Sequence, residues 1–511
     1  MQASINELIR SAARQYGQKT AYADTERTLS FEDVDRLSAV IASAITEQGL
    51  LRKPVFVLTG QNVYTPAVFL GVARAGCFYV PVNAAQNTFR IRQILEMVQP
   101  ELVISVGPRT DLKAGLGYAG PVLFTDELLA SGTAYAYPAA AEKELRGDMT
   151  LYVLFTSGSS GKPKGVETSV RSVLNYIDAV NEVLELTPDD VLGSMAPMDY
   201  IAAIRDIYLP LLTGASSFLL PVSAYAMAHD LAGLMEARKI SVLCWSAAAM
   251  ELCARTGLLE ELTAKHVRKV LFSGSVLSGK ALRKWQECFP DAVFINQYGP
   301  TEATASCTYY VVTELADERT VLPVGRPYKN YHILLLDENG GEAGPGETGE
   351  ICVAGIGVAK GYYQDAAQSA AAFIQNPLNR TGREIIYKTG DLGRWNPEGD
   401  LEFLGRKDRQ VKIMGHRVEP EEIEQCVKSF KDVADCAVVY DTDRAKLCLF
   451  YTGSAEKKSV FLALRERLPA YMVPGVITAA DTLPRLANGK TDLKAISGLL
   501  EKEKIRDGNV D

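Results

Sequence analysis

Short apolar runs rich in β-branched and aromatic residues recur through the first 300 positions. They include VFVLTG at 55–60, ELVISV at 101–106, TLYVLFTS at 150–157, ISVLCWS at 240–246, KVLFSGS at 269–275 and AVFINQYG at 292–299. Helical patterns separate them, such as SINELIRSAARQYG at 4–17 and LSFEDVDRLSAVIASAITEQG at 29–49. Continuous apolar strands need cover on both faces, and intervening helices supply it, so the alternation predicts mostly parallel sheets. Ligands in such folds bind beyond the carboxyl ends of the strands.

The character changes near residue 320. LDENGGEAGPGETGEICVAG at 336–355 and GRWNPEGDLEFLGRKD at 393–408 place turn signals between β-patterned stretches, which predicts a small antiparallel subdomain. After Lys407 the text reads as a short strand (QVKIMG), a helix (PEEIEQCVKSF), two strands (ADCAVVYD, KLCLFYTG), a helix (KSVFLALRERL) and a loop bearing Asn488-Gly489-Lys490. The expected class is therefore α/β. A large N-terminal domain, 1–407, has two mostly parallel sheets covered by helices, with a β-rich subdomain at about 320–407. A small mobile α+β C-terminal domain, 408–511, follows. A chain of 511 residues exceeds one ordinary core, in keeping with this division.

Composition limits the function. A net charge of −8 argues against a nucleic-acid or membrane-surface binder. No stretch has the roughly 18 apolar residues that would span a bilayer, and the N-terminus lacks the apolar core of a signal peptide. Nine scattered cysteines with no C-x-x-C pair point to reduced thiols and a cytoplasmic location. Four dispersed histidines leave a hard cation, held by carboxylate and phosphate oxygens, as the expected metal.

The segment Thr156-Ser157-Gly158-Ser159-Ser160-Gly161-Lys162-Pro163-Lys164-Gly165 follows a strand. Glycines let backbone N–H groups approach phosphate oxygens, four hydroxyls add donors, and two lysines add charge. It is not a Walker A loop, because Pro163 stands where a Ser or Thr should follow the lysine. An isolated Gly/Ser/Lys string is most often a solvated turn.

This string resembles the signature of the adenylate-forming superfamily: acyl-CoA synthetases, luciferases and the adenylation domains of nonribosomal peptide synthetases. Other motifs similar to that family's follow in order across nearly the whole chain. They are Thr28-Leu29-Ser30-Phe31, Ala75-Gly76-Cys77-Phe78-Tyr79-Val80-Pro81-Val82, Asn296-Gln297-Tyr298-Gly299-Pro300-Thr301-Glu302, Gly346-Glu347-Thr348-Gly349-Glu350-Ile351, Gly361-Tyr362-Tyr363, Tyr387-Lys388-Thr389-Gly390-Asp391, Gly405 to Lys412, and Asn488-Gly489-Lys490.

The resemblance implies ATP and Mg²⁺ as cofactors. The ATP site would comprise the 156–164 loop with Gly274, Ser275, Asn296, Gln297, Tyr298, Gly299, Asp391, Phe403 and Arg406. Tyr298 suits stacking on adenine with Phe403 as a second wall, and Asn296 suits the adenine amino group. Asp391 can accept ribose hydroxyls, and Arg406 can donate to the ribose. Thr301 and Glu302 are the implied catalytic partners, with Glu302 on Mg²⁺. Lys490 resembles the catalytic lysine that neutralises charge at the carboxylate and α-phosphate. Asp408 resembles the hinge about which the small domain swings after adenylation, and Gly415 would lie near the thiol tunnel.

In amino-acid-activating members an Asp in a Phe-Asp-x-Ser motif grips the α-ammonium. Leu211-Leu212-Thr213-Gly214-Ala215 sets the register and puts Ile201 at that position, with Asp199 two residues earlier. An unpaired buried ammonium is costly. Two readings remain: an acid without an amino group, or a β-amino acid whose displaced amine meets the displaced Asp199. The second is preferred. The other pocket positions are Ala202, Arg205, Cys244, Leu271, Ser273, Gln297, Ala305 and Ser306. Arg205 either meets a distal carboxylate or turns to an acid such as Asp206. Val170 stands where many members have a gating His.

No phosphopantetheine-attachment motif follows Lys490, so a free-standing enzyme with a separate carrier protein as acceptor is expected, in natural-product biosynthesis. The alternatives are an acid–CoA ligase on an aryl or hydroxy acid, a D-alanine–carrier protein ligase, and a catalytically inactive nucleotide-binding sensor.

Overall fold

The computed structural model describes residues 4–106, 115–130, 147–158, 161–221, 228–262, 266–442, 444–486 and 491–498. A nine-stranded sheet runs in the order Arg326–Pro327, Thr308–Val312, Val293–Tyr298, Lys269–Ser273, Val242–Ser246, Val191–Ser194, Ser216–Leu219, Thr20–Ala23, Thr28–Ser30. Its six middle strands are parallel, and antiparallel strands close both edges. A seven-stranded sheet orders Gly361–Tyr362, Lys164–Ser169, Thr150–Thr156, Phe78–Asn83, Pro54–Thr59, Leu102–Ser105, Val122–Phe124. From Thr150–Thr156 onward its pairings are parallel.

The two sheets share one core. Helices Ile5–Tyr16, Phe31–Glu47, Tyr64–Arg74, Val170–Leu184 and Ala203–Thr213 contribute Leu8, Ile41, Phe69, Val173 and Ile204 to it, against Val55, Tyr152, Val242 and Ile295 of the strands. Helix starts follow local chemistry. Ser30 and Asp33 cap Phe31–Glu47 reciprocally, and Ser169 accepts from Ser172 N at the head of Val170–Leu184.

The β-rich stretch is a five-stranded antiparallel sheet: Tyr331–Leu336, Gly349–Gly355, Ile385–Trp395 and Phe373–Gln375, with Leu401–Arg406 also on Ile385–Trp395. Beyond it, the expected single strand QVKIMG is half of a hairpin, Val411–Ile413 with His416–Val418. Met414 and Gly415 both have positive φ, 49° and 86°, as a two-residue hairpin turn requires. The strand signal for 416–418 is too short to separate from the turn.

The last unit is a three-stranded sheet, Val433–Asp441, Lys446–Gly453 and Val476–Ala479, whose third strand was not foreseen. It pairs in parallel with the middle strand and presents only a four-residue apolar pattern. Alternate residues of this sheet face opposite ways. Cys436, Val438, Leu447 and Leu449 face helices Pro420–Lys428 and Lys457–Arg467. Ala437, Val439, Cys448 and Phe450 face Leu483 and Ile496 instead. No described helix is long and apolar enough to cross a membrane.

Candidate active site

The site gathers at the carboxyl ends of the parallel strands. Strand Thr150–Thr156 delivers the glycine-rich loop, whose described part bends back so that Gly161 N donates to Gly158 O at 3.0 Å. Gly161 has φ +78°, and a Cβ there would lie 2.8 Å from Gln425. Thr156 Oγ1 is buried with no partner among the described residues, a hydroxyl suited to an incoming phosphate oxygen. Lys162 is exposed. Lys164 turns inward, 3.4 Å from Glu302 Oε1 and over the Tyr362 ring. Ser159 and Ser160 lie outside the described residues.

Strand Val293–Tyr298 ends in the nucleotide wall. The Tyr298 and Phe403 rings are 6.3 Å apart, and the Tyr298 hydroxyl donates to Asp391 Oδ2 at 2.5 Å. Burial, then the neighbouring Asp391, raises the Tyr298 pKa, so this phenol stays a donor. Arg406 donates to Asp391 Oδ1 and chelates Asp408 through Nε and Nη2 at 2.6 and 2.7 Å. Asn296 Nδ2 donates to Pro323 O at 2.9 Å, so its carbonyl oxygen is the atom suited to an exocyclic amine. These groups fit an adenosine. Gly274 and Ser275 follow strand Lys269–Ser273, and Gly299 follows Tyr298.

Glu302 sits in the short helix Thr301–Ala303 and is fully buried. Arg417 Nη1 lies 2.9 Å from each of its oxygens, and the Tyr362 hydroxyl donates to Oε1 at 2.8 Å. Burial opposes its ionisation, but Arg417 and Lys164 outweigh that and hold its carboxyl at about 2. Glu302 does not fit a metal in this arrangement, because a guanidinium already fills the cation position. Among the described residues no cluster of three or more His, Cys, Asp or Glu side chains could hold a metal.

The acid pocket surrounds the start of helix Ala203–Thr213. Ile201, Cys244, Leu271, Gln297 and Ser306 are buried, while Ala202, Ser273 and Ala305 are partly so. Arg205 is buried and turned to Asp206, with Nε 3.0 Å from Asp206 Oδ1 and Nη2 3.2 Å from Cys244 O. Ser194 Oγ donates to the other Asp206 oxygen at 2.6 Å. Of the two readings of Arg205, the structure has the internal pair. Asp199 is part-buried, and its Oδ2 accepts from Asn83 N at 3.0 Å and Gln86 Nε2 at 2.6 Å. Burial raises its carboxyl pKa against these bonds, and among the described residues it makes no ion pair. Val170 is buried in the core.

The hairpin after Asp408 reaches this same region. The Tyr200 hydroxyl donates to Gly415 O, and a Cβ on Gly415 would lie 3.2 Å from Ser246 Cβ. His416 stacks on Tyr471 with ring centroids 4.0 Å apart and meets Tyr200 edge-on. Sequence reasoning missed Arg417, Glu422 and Arg90. The only signal for the first two was the charged string RVEPEE at 417–422. Lys490 lies outside the described residues. Its described neighbours Arg485 and Thr491 form a bridge, and Arg485 pairs with Asp435 at 2.6 Å.

Known proteins resemble this chain in sequence and in fold. The family of AMP-binding enzymes matches residues 9–363, and the AMP-binding enzyme C-terminal domain matches 422–490. Bacitracin synthase 3 of Bacillus licheniformis is 30% identical over 500 residues, which are 96% of this chain and 8% of that protein. Tyrocidine synthase 1 of Brevibacillus parabrevis is 29% identical over 507 residues, 96% of this chain and 45% of that one. The chain thus spans less than half of either relative. An artificially fused adenylation–PCP di-domain, NpsA-ThdA from Klebsiella oxytoca, shares the fold at TM-score 0.82 and 23% identity, covering 94% of both chains.

Proposed function

The chain belongs to the AMP-binding enzyme family, the adenylate-forming ligases, and from that premise we propose that it joins a carboxylic acid to AMP, releases pyrophosphate, and passes the acyl group to the phosphopantetheine thiol of a separate carrier protein. The observation that carries this reading is the convergence of the Asp391–Tyr298–Arg406 cluster, Glu302 and the glycine-rich loop at one set of strand ends.

In the first step the acid's carboxylate oxygen attacks the α-phosphorus, and the bond to pyrophosphate breaks. Asp391 holds the ribose, Tyr298 and Phe403 flank the base, and the 156–164 loop takes the outer phosphates. Mg²⁺ would be held by Glu302 and phosphate oxygens once Arg417 has withdrawn. In the second step the thiol sulfur attacks the acyl carbon, its proton is lost, and AMP leaves. Lys490 serves the first step. Its described flanks lie on the side of the small sheet opposite the helix whose Glu422 meets Arg90, which supports a turn of residues 408–511 about Asp408 between steps. Similarity to a fused adenylation–PCP protein supports a carrier as acceptor.

For the acid we favour a β-amino acid. Ile201 is apolar and buried, the register set by Leu211 to Ala215 assigns it to the family's α-ammonium position, and Arg205 is neutralised by Asp206. Asp199 is held by Asn83 N and Gln86 Nε2, and among the described residues it makes no ion pair, which leaves its carboxyl available to an incoming ammonium. An ATP–pyrophosphate exchange screen over α-amino, β-amino, aryl and hydroxy acids, with and without Mg²⁺, tests this. Exchange restricted to ordinary L-α-amino acids would refute the assignment of Ile201 and Asp199. Acyl transfer to coenzyme A without any carrier would refute the acceptor.

A further inference from the structure

Two charged side chains beyond Asp408 are seated on the phosphate and metal groups of the large domain. Glu422, on helix Pro420–Lys428, is buried, and its Oε2 accepts from Gly158 N at 3.1 Å. Its Oε1 meets Arg90 Nη1 at 2.6 Å, in an ion pair only 4% and 3% exposed. Arg417 meets both oxygens of Glu302, and its Nε donates to Gln410 Oε1 at 2.6 Å. The backbone is drawn in as well, since Ser157 Oγ donates to Arg417 O at 2.8 Å.

The charges are placed with opposite sense at the two points. A glycine-rich loop N–H attracts anions, and here it meets a carboxylate. A buried carboxylate attracts cations, and here it meets a guanidinium. Apolar residues of similar volume often seat an interface as well as a buried ion pair does, so stability alone does not account for these two pairs.

We infer that Glu422 and Arg417 are an internal stand-in for magnesium pyrophosphate, the carboxylate replacing a phosphate oxygen at Gly158 and the guanidinium replacing the metal at Glu302. The inference rests on the adenylation reading above and deepens it. Seating of the 408–428 segment and binding of magnesium pyrophosphate become mutually exclusive. Pyrophosphate must leave before the segment seats, and it cannot return while the thiol is being acylated. Reversal of the acyl-adenylate to ATP is thereby blocked without any residue touching the acyl group.

The test is calorimetric titration of magnesium pyrophosphate into the full chain, without ATP, acid or carrier. Glu422→Gln keeps the shape of the side chain and removes its charge. Arg417→Met removes the cation. Each variant is expected to bind magnesium pyrophosphate about fivefold tighter or more, because an internal competitor has been weakened. Equal or weaker binding by Glu422→Gln overturns the inference. In the unmutated chain, magnesium pyrophosphate is expected to speed tryptic cleavage at Arg406–Arg409; an unchanged rate overturns the inference without recourse to any variant. Failure of the adenylation reading shows separately, as competition by magnesium pyrophosphate with no acid supporting exchange.

Discussion

Arg417 and Glu302 are 115 positions apart in the chain, yet one guanidinium nitrogen bridges both carboxylate oxygens at 2.9 Å. Breaking such a pair inside a rigid core costs about 3–5 kcal/mol. In the proposed turn of residues 408–511 about Asp408, strand His416–Val418 with Arg417 lifts away, so the cost would appear as opening rather than unfolding. Arg417→Met is expected to raise protease access around 406–410 while the main melting transition moves by no more than about 2 °C. A large fall in that transition would show that the pair holds the fold itself.

Lys490 can be tested by chemistry alone. Lys490→Ala is expected to slow acyl-adenylate formation by about 10²–10³-fold, the scale for losing one positioned charge at a reacting phosphate. Transfer from acyl-adenylate supplied ready-made should persist near the unmutated rate. Equal losses in both half-reactions would remove its assignment to the first.

Asp199 separates the acid classes. Asparagine retains an oxygen for Asn83 N and Gln86 Nε2, so Asp199→Asn should melt within about 1 kcal/mol of the parent. The KM for a β-amino acid should rise about 30-fold or more through loss of a buried charge pair, with acids lacking an amine unaffected. A uniform effect on all acids would make Asp199 a loop anchor only.

Arg205 and Asp206 give a stability prediction of the opposite kind. Arg205→Met strands Asp206, whose carboxyl burial already pushes up in pKa and Arg205 pulls back. A loss of about 3–5 kcal/mol in denaturant unfolding is expected. A small loss accompanied by altered acid preference would return Arg205 to the substrate.

His416 supplies the pH test. Burial between Tyr471 and Tyr200 lowers its pKa from 6.5 to about 4. The folded state therefore resists its protonation more than the unfolded state does. Its contribution is complete above pH 6.5 and is lost as pH falls from 6.5 towards 4. His416→Phe keeps a stacking ring and should flatten the dependence of melting temperature on pH across that window.

The parallel strands were legible because apolar runs and helical periodicity are local signals. The loop at 156–165 and the 296–302 motif were legible because their glycines and polar residues are contiguous. Glu422 was not, since its partners Gly158 and Arg90 lie 264 and 332 positions away and nothing local marks the encounter. Arg205 was ambiguous in sequence because Asp206 and a distal carboxylate of the substrate offer the same chemistry; only the direction of the side chain distinguishes them. Asp199 was legible only as a displaced acid near the motif, because its bonds to the 83–86 loop are a tertiary matter.

The small sheet of 433–479 carries different equipment on its two sides, helices on one and the Leu483–Ile496 segment on the other. In the proposed two-step reaction, one sheet cannot show both sides to the same cleft at once, so the order of the steps would follow from geometry. Substitutions on the Leu483–Ile496 side should therefore be rescued by acyl-adenylate supplied ready-made, and substitutions on the helix side should not.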